Sequence, residues 1–323
     1  MELLFGSFRL IFLLMTVTDL FSIRACNDAK EAINYFHKWA EHERWDPGQD
    51  GLDIEHAFYP CHPEGFFIGT IQEQGKEKVV SCVCAMKHGE IGYIAFYIVG
   101  DPSYRGKGYG LRVFQHALNH MSSCPWIGLC GVSAQVENYK RSGFVVQAAV
   151  LRYIGSRPMS TIQTPTVDLA SVPIEQVIGL DQRYTGMYRP TFMTHWTRYH
   201  TTTEGYHGVA IMEQGQAVGF ACMRRCVSGA YRIAPVYADT FEHAHALVTK
   251  LTSLVDDENA QFATDVYLNN PQAEKLFTSK LGWKPVPSMM PMYTMWRKGP
   301  GALTDAPEGD SNGYFAILSP EIG

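Results

Sequence analysis

Alternating apolar and polar positions dominate the first half of the chain and predict strands, with helix-like segments between them. Ile23 begins a short predicted strand, and residues 28–43 place Ala32 and Phe36 on one face at helical spacing. Residues 21–156 therefore form one predicted unit with the element order β-α-β-β-β-α-β-α-β. Its later elements are strands at 66–72, 78–86, 91–99, 126–132 and 145–153, and helices at 110–121 and 137–142.

The second half repeats this alternation with a different sequence, which indicates a duplicated mixed α/β (α+β mixed sheet) unit. A linker is predicted at 157–166 and a second unit at 167–299. The predicted elements of this unit are strands at 209–214, 217–224, 232–238, 262–266 and 292–296, and helices at 242–254 and 271–280. Residues 300–323 are rich in Gly, Pro and acidic residues and are predicted to be disordered, although 314–318 is an apolar segment that could pack.

The first twenty residues contain an apolar run of uncertain origin. Residues 10–15 are all apolar, which is too short for the roughly 20 residues that span a bilayer. A signal peptide is an open alternative, but Glu2 and Asp19 flank the run and no small-residue cleavage site follows it. We therefore expect 1–20 to be a leader outside the fold of a cytoplasmic protein, with secretion as the alternative.

Composition narrows the function classes. The 323 residues suggest about two domains, and 46% hydrophobic against 18% charged residues is typical of a globular chain. The formal charge of −5, from 27 basic and 32 acidic residues, lacks the basic excess of nucleic-acid binders. Eight cysteines are too few for a disulfide scaffold and show no zinc-site spacing. We predict no metal, no nucleic acid and no membrane partner.

The most informative segment is a strand that leads into a glycine-rich turn and a helix. Residues 97–110 read YIVGDPSYRGKGYG. Glycines let backbone amides approach an anion without a Cβ clash, and the start of a helix adds free N–H groups and a positive dipole end. Arg105 and Lys107 add positive charge. No Ser or Thr follows Lys107, so the P-loop pattern is absent, as is the dinucleotide-binding pattern. The segment predicts a phosphate site of another kind.

Two motifs resemble the GNAT N-acetyltransferase superfamily. The pattern Arg-x-x-Gly-x-Gly of residues 105–110, after a strand that ends at Val99, resembles that family's pyrophosphate signature. Residues 138–144, NYKRSGF, resemble its motif B, in which a helix carries a tyrosine four residues before Gly-Phe. The resemblance covers 21–156 and implies tandem GNAT-like acyl-CoA N-acyltransferase folds.

The second half resembles motif B as well but lacks the phosphate signature. Residues 270–283 carry Asn-Pro and Leu-Gly-Trp, with Phe277 near the place of the tyrosine. The segment after the strand 232–238 has no glycine loop and no basic residue. The resemblance therefore implies an active first domain at 21–156 and a degenerate second domain at 167–299.

The resemblance also implies direct transfer of an acetyl group from acetyl-CoA to a primary amine of a small molecule, amino acid or peptide. Tyr139 would be the catalytic acid that protonates the leaving thiolate. The implied cofactor-binding residues are Tyr97, Ile98, Val99, Arg105, Gly106, Lys107, Gly108, Tyr109, Gly110 and Asn138. The acceptor, the role of the second domain and the oligomeric state stay open.

The general base is not evident from the sequence. Many GNAT enzymes carry a glutamate on the central strand, where this chain has Ala95 and Phe96. The remaining candidates are a water chain or one of Glu43, Asp46, His62, Glu64 and Glu90. The acidic loop 41–55 could attract a cationic amine, or be a solvated loop. A non-catalytic acyl-CoA sensor or interaction protein remains the alternative function.

Overall fold

The computed structural model describes residues 21–159, 164–287, 289–302 and 305–321. The apolar run at 10–15 lies outside these residues. The strands of both halves join one continuous mixed sheet, and helices cover its faces. The two predicted units therefore share a sheet.

The first half supplies the strands β1 to β6. Their bounds are β1 (Ser22–Ala25), β2 (Phe66–Glu73), β3 (Lys76–His88), β4 (Ile91–Val99), β5 (Trp126–Val132) and β6 (Phe144–Gly155). Its helices are α1 (Ala29–Ala32), α2 (Lys38–His42), α3 (Tyr59–Cys61), α4 (Tyr109–His120) and α5 (Val136–Arg141). A π-helical turn at Ile33–His37 joins α1 to α2, so the predicted helix 28–43 is present.

The second half supplies the remaining elements. Its strands are β7 (Val167–Asp168), β8 (His207–Glu213), β9 (Gln216–Arg225), β10 (Tyr231–Ala238), β11 (Phe262–Tyr267), β12 (Lys284–Pro285), β13 (Met292–Lys298) and β14 (Tyr314–Ala316). Its helices are α6 (Ile174–Thr185), α7 (Pro190–Thr202), α8 (Phe241–Ser253) and α9 (Pro271–Lys275), which a π-helical turn at Leu276–Lys280 continues. α6 and α7 were not predicted from the sequence.

The hydrogen-bonded order of the sheet is β1-β2-β3-β4-β5-β13-β6-β11-β14-β10-β9-β8-β7, with β12 beside β6. Within the described part of the chain, β4 pairs with β5 and β10 with β11 in parallel, and the other pairs are antiparallel. Each half thus has one parallel pair at its centre.

β13 lies in an unexpected place. The sequence analysis assigned 292–296 to the second unit, but this strand lies between β5 and β6, where Met292 is opposite Val132 on one side and Val150 on the other. Alternation of side chains specifies that a segment is a strand and which face is buried, but not which strand it pairs with. The first half's sheet is completed by a strand from the second half.

The predicted disorder of 300–323 is wrong for part of the segment that the structure describes. β14 hydrogen-bonds to both β10 and β11, and Phe315, Ile317 and Leu318 are buried. The polar composition of 305–313 concealed this short apolar segment, which is too brief to dominate a compositional window. Its burial places the following residues, Pro320 and Glu321, inside the protein.

Aromatic packing joins the two halves. Phe58 stacks on Trp196 of α7 with ring centroids 6.1 Å apart, and both side chains are fully buried. On the other face of the first half's sheet, α4 buries Val113, Phe114 and Ala117. The shared core and shared sheet fix the position of the site between the halves.

Candidate active site

The strands β4 and β5 separate part-way along their length. They pair in parallel from Ile91 to Ile94 of β4, and no pairing is recorded for the described residues beyond Ile94. Phe96 has a positive φ of 46°, and the register of β4 against β3 shifts near it. Such a bulge bends a strand and increases its local twist. Residues 95–99 therefore diverge from β5 and leave a wedge along which β4 has no strand partner on that side.

The glycine loop lies at the end of β4 and leads into α4. Gly106 and Gly108 have φ of 75° and 84°, and a Cβ at either position would meet nothing within 4 Å. Gly108 is the N-cap of α4 and no side chain caps the helix start. The loop is therefore open, with uncapped helix amides and a positive dipole end, which suits a phosphate group.

Arg105 and Lys107, the two cations of this loop, have different contacts. Arg105 donates to a Glu43 oxygen at 2.5 Å and to the Val99 carbonyl at 3.1 Å. Lys107 lies over the Tyr104 ring, with its Nζ 4.9 Å from the centroid. Arg105 lines the cavity described below, whereas Lys107 does not.

Two further predicted cofactor residues also lie outside the cavity lining. Tyr109 stacks on Phe21 with ring centroids 4.8 Å apart. Asn138 is exposed, and its amide oxygen accepts a hydrogen bond from Arg141. Of the ten predicted cofactor residues, the cavity lining therefore includes seven: Tyr97, Ile98, Val99, Arg105, Gly106, Gly108 and Gly110.

Tyr139 of α5 projects toward the wedge. Its ring covers Gly131 of β5 so closely that a Cβ there would lie 2.7 Å from the ring. Burial raises the pKa of the Tyr139 phenol well above its ordinary value, and the nearby Tyr97 and Cys130 add to this effect. The phenol therefore stays protonated at neutral pH and can donate a proton.

The wedge opens into a cavity of about 1470 Å³ between the two halves. Its far wall comes from the second half, through the turn 227–230, residues 259–261 and the methionines 289, 290 and 292. Apolar side chains of the first half complete it, including Trp45, Phe96 and Leu129. The cavity is large enough for both a cosubstrate arm and an acceptor molecule.

Three of the six carboxylates of the acidic loop 41–55 hold structure. Glu43 pairs with Arg105, and the Asp46 carboxylate accepts from the Ser228 amide at 3.0 Å. Asp53 is buried and accepts from the Gly48 amide at 2.8 Å. Glu41, Glu43 and Asp46 nevertheless reach the cavity wall, so an acidic rim is present but partly neutralised.

The other predicted base candidates lie away from the cavity. His62, Glu64 and Glu90 are not among its lining residues. His62 instead places its Nε2 atom 2.9 Å from Nε2 of His120, at the end of α4. Burial is the main cause that lowers the pKa of both imidazoles. These groups hold a loop against α4.

A buried cluster of two arginines and one aspartate lies between the two halves of the protein. Arg152 of β6 donates to both Asp265 oxygens, at 2.8 and 3.0 Å, and Arg232 Nη1 lies 3.5 Å from the same carboxylate. Both arginines also donate to the Trp45 carbonyl, at 3.0 and 3.1 Å. The cluster therefore fastens the loop that begins at Trp45 to the second half. We refer to Arg152, Arg232 and Asp265 as the buried ion cluster.

Several cavity residues with chemically active side chains were not predicted from the sequence, among them Cys130, Asp257 and Glu321. Glu321 lines the cavity and is only 5% exposed. Its carboxylate accepts a hydrogen bond from Ser319. The apolar run 314–318 was the one available signal that this segment folds back into the protein.

Across residues 21–159, 164–287, 289–302 and 305–321, no group of three His, Cys, Asp or Glu side chains could hold a metal ion. The helices in these same ranges are all too short or too polar to cross a bilayer.

Comparison with known proteins identifies the family. Residues 31–144 match the Acetyltransferase (GNAT) family, and residues 177–301 match an Acetyltransferase (GNAT) domain. A curated relative, Holothin acyltransferase from Pseudoalteromonas sp. (strain SANK 73390), is 30% identical over 292 residues, which are 89% of this chain and 90% of the relative. This chain belongs to the GNAT superfamily. It is an acyltransferase with two GNAT domains, as the motifs at 105–110 and 138–144 indicated.

Solved structures show the same fold. A protein from Pyrococcus horikoshii described as an acetyltransferase aligns over 94% of this chain and 96% of its own, with a TM-score of 0.73 and 18% identity. A tandem GNAT protein from the clavulanic acid biosynthesis pathway aligns over 87% and 99%, with a TM-score of 0.57 and 12% identity. GNAT folds generally use acyl-CoA and act on amine-bearing acceptors, which agrees with the open glycine loop and the wedge.

Proposed function

We propose that this GNAT acyltransferase transfers an acetyl group from acetyl-CoA to the primary amine of a small acceptor with an apolar body. The observation that carries the proposal is the wedge between β4 and β5. It has an uncapped, glycine-lined helix start at one end and the protonated phenol of Tyr139 inside it. A pyrophosphate and a thioester would need these two features at the two ends of one groove.

In this proposal the first domain holds the donor. The open glycines 106 and 108 and the amides of the first turn of α4 would receive the pyrophosphate, and Arg105 would gain it as a second anionic partner beside Glu43. The backbone edge of Tyr97–Val99 would pair with the amides of the pantetheine arm, in competition with Arg105 at the Val99 carbonyl. Lys107, Tyr109 and Asn138 would act from outside the cavity, through charge or through support of the loop.

The acceptor class follows from the cavity walls. Methionines 289, 290 and 292, together with Trp45 and Leu129, give an adaptable apolar surface. Carboxylates at the rim would favour a cationic amine. Holothin is one candidate acceptor, because a relative that is 30% identical is named Holothin acyltransferase. The proposed acceptor is therefore an amphipathic amine and not a polar amino acid.

The proposed reaction is a direct transfer. The amine nitrogen attacks the thioester carbonyl carbon, a C–N bond forms and the C–S bond breaks. A proton leaves the nitrogen for a base, and the Tyr139 phenol gives a proton to the departing thiolate sulfur. Solvent then returns a proton to the phenolate. Burial of Tyr139 keeps its phenol neutral until the thiolate forms.

The test is thiol release from acetyl-CoA with a panel of amines. The panel contains phenylethylamine as an apolar amine, with glycine and lysine as polar ones, and holothin as the acceptor that the relative's name suggests. We expect turnover with phenylethylamine and holothin and little with the polar amines. Acetyl-CoA binding without transfer to any of these amines would contradict the proposal and favour an acyl-CoA sensor.

We also propose a reducing, cytoplasmic compartment. All eight cysteines are free thiols, and burial raises the pKa of each of them. Cell fractionation tests the location, and sequencing the mature N-terminus tests the alternative of a cleaved leader at 1–20.

A further inference from the structure

The cavity contains one buried carboxylate on its described lining. Four other carboxylates line it, but they are half-buried or exposed and stand at its rim, whereas Glu321 is 5% exposed. These rim carboxylates are Glu41, Glu43, Asp46 and Asp257. Two of them already have cationic partners, since Glu43 pairs with Arg105 and Asp46 lies 3.7 Å from Arg232. Glu321 is therefore the most buried carboxylate of the described cavity lining.

Glu321 and Tyr139 both line this cavity. Tyr139 covers Gly131 of β5, and the next residue back, Cys130, lines the cavity as well. Burial, then Asp265, then Glu321 raise the pKa of the Cys130 thiol. A thioester in the wedge would thus have a proton donor and a carboxylate in the same cavity.

The segment that carries Glu321 is held firmly. β14 pairs with β10 through Val236 and with β11 through Val266, and the Ile317 amide donates to the Asp265 carbonyl at 3.0 Å. Ser319 then donates to the Glu321 carboxylate. Three neighbouring elements also place titratable or charged groups near it: Tyr93 of β4, Cys130 of β5, and Arg232 of β10. Of these three, Arg232 carries a charge at neutral pH.

We propose that Glu321 is the general base of this enzyme and also the group that holds the acceptor's ammonium group in the cavity. This inference rests on the proposed function and names the base that the central strand lacks at Ala95 and Phe96. The carboxylate first takes one proton from the ammonium group and releases it to solvent, which leaves a neutral amine with a lone pair. It then accepts the second proton, which the nitrogen loses as the C–N bond forms. Tyr139 supplies the proton that the thiolate gains, and solvent carries the proton from Glu321 back to Tyr139, so the cycle balances.

The test compares Glu321→Gln with the wild-type enzyme, using acetyl-CoA and phenylethylamine or holothin. Gln keeps the shape and the hydrogen bond to Ser319 but cannot accept the proton. We expect kcat to fall by about 100-fold or more, because general bases contribute about 10²–10⁴-fold. The acetyl-CoA dissociation constant should not change. The variant should regain rate as pH rises, since solution then supplies more neutral amine, and Glu321→Asp should retain part of the activity.

The matched control is Glu308→Gln. Glu308 belongs to the same described segment, is exposed and is absent from the cavity lining. It should match the wild type at every pH. Equal rates for Glu321→Gln and wild type would overturn the inference alone. If Glu321→Gln has a lower melting temperature and no longer binds acetyl-CoA, and Glu321→Asp is equally inactive, then Glu321 has a structural role. This result would also overturn the inference. A wild type that acetylates no amine in the panel would overturn the proposed function first.

Discussion

Asp265 gives the sharpest test of how the two halves are held together. The side chain is fully buried and receives two hydrogen bonds from Arg152, at 2.8 and 3.0 Å, with Arg232 Nη1 at 3.5 Å. Asp265→Asn keeps the size of the side chain but removes its charge. Two buried guanidinium groups then lose the carboxylate that both of them face. We expect a large loss of stability for so small a change in shape.

The magnitude follows from the geometry. Removing one partner of a buried ion pair costs about 3–5 kcal/mol, because the remaining charge is left desolvated. Unfolding entropies of about 2.1 cal/mol/K per residue give about 0.7 kcal/mol/K for 323 residues that unfold in one transition. The expected decrease in Tm is therefore about 4–7 °C. Calorimetry at neutral pH measures both Tm and the cooperativity.

The pH dependence of this effect has a definite sign. Burial raises the pKa of Asp265, but Arg152 and Arg232 outweigh it and lower the pKa below 3.8. A carboxylate with a lowered folded pKa stabilises the fold fully above its unfolded pKa and loses this contribution as the pH falls through the folded pKa. The difference in Tm between wild type and Asp265→Asn should be constant from about pH 5 to pH 8 and shrink below about pH 4.

An exposed neighbour provides the control. Asp256→Asn removes the same charge from the surface and should leave Tm unchanged, because surface substitutions usually stay within about 0.5 kcal/mol. A change below about 1.5 °C for Asp265→Asn, or about 1 kcal/mol, would refute the reasoning. Such a result would mean that the buried arginines find other partners when the charge of Asp265 is gone.

Three further predictions concern the donor site. Gly108→Glu should weaken acetyl-CoA binding in calorimetry by about 100-fold or more, since about 2.8 kcal/mol of repulsion and clash suffices. Gly89→Glu, at an equally open glycine with φ of 61° in a distant turn, should not weaken it. Tyr139→Phe should lower kcat by about 100-fold with unchanged acetyl-CoA affinity, and full activity would leave the ring only a packing role. Titration should give one acetyl-CoA per chain, because β14 fills the wedge of the second half; two would contradict this.

Local pattern was sufficient for the elements that surround the donor site. Residues 91–99 and 126–132 were predicted as strands, and the structure has strands at Ile91–Val99 and Trp126–Val132. The glycine loop could be predicted because a left-handed backbone and the close approach of an anion both require glycine. This requirement is visible in the sequence itself. The bulge at Phe96 was not recognisable, since nothing in an apolar strand marks a residue with positive φ.

Strand partners and the far wall of the cavity could not be predicted. Almost every residue offers the same main-chain hydrogen-bonding groups. The sequence of 292–298 therefore does not show that β13 pairs between β5 and β6. Glu321 reaches the cavity only because β14 pairs with β10 and β11, two strands that are distant from it along the chain. Long-range contacts of this kind depend on the whole topology and not on a local period.

The wedges of the two halves differ in what fills them. In the first half, the bulge at Phe96 leaves backbone groups of β4 unpaired beside an open glycine loop. In the second half, β10 and β11 pair at Tyr231 and Arg232 and then separate in the same way, but β14 enters the gap and hydrogen-bonds to both. Buried backbone groups need partners, so a wedge that binds no ligand is stable only when filled by protein. The filling segment then continues to Glu321, so the segment that closes the wedge of one domain supplies a side chain to the cavity into which the wedge of the other opens.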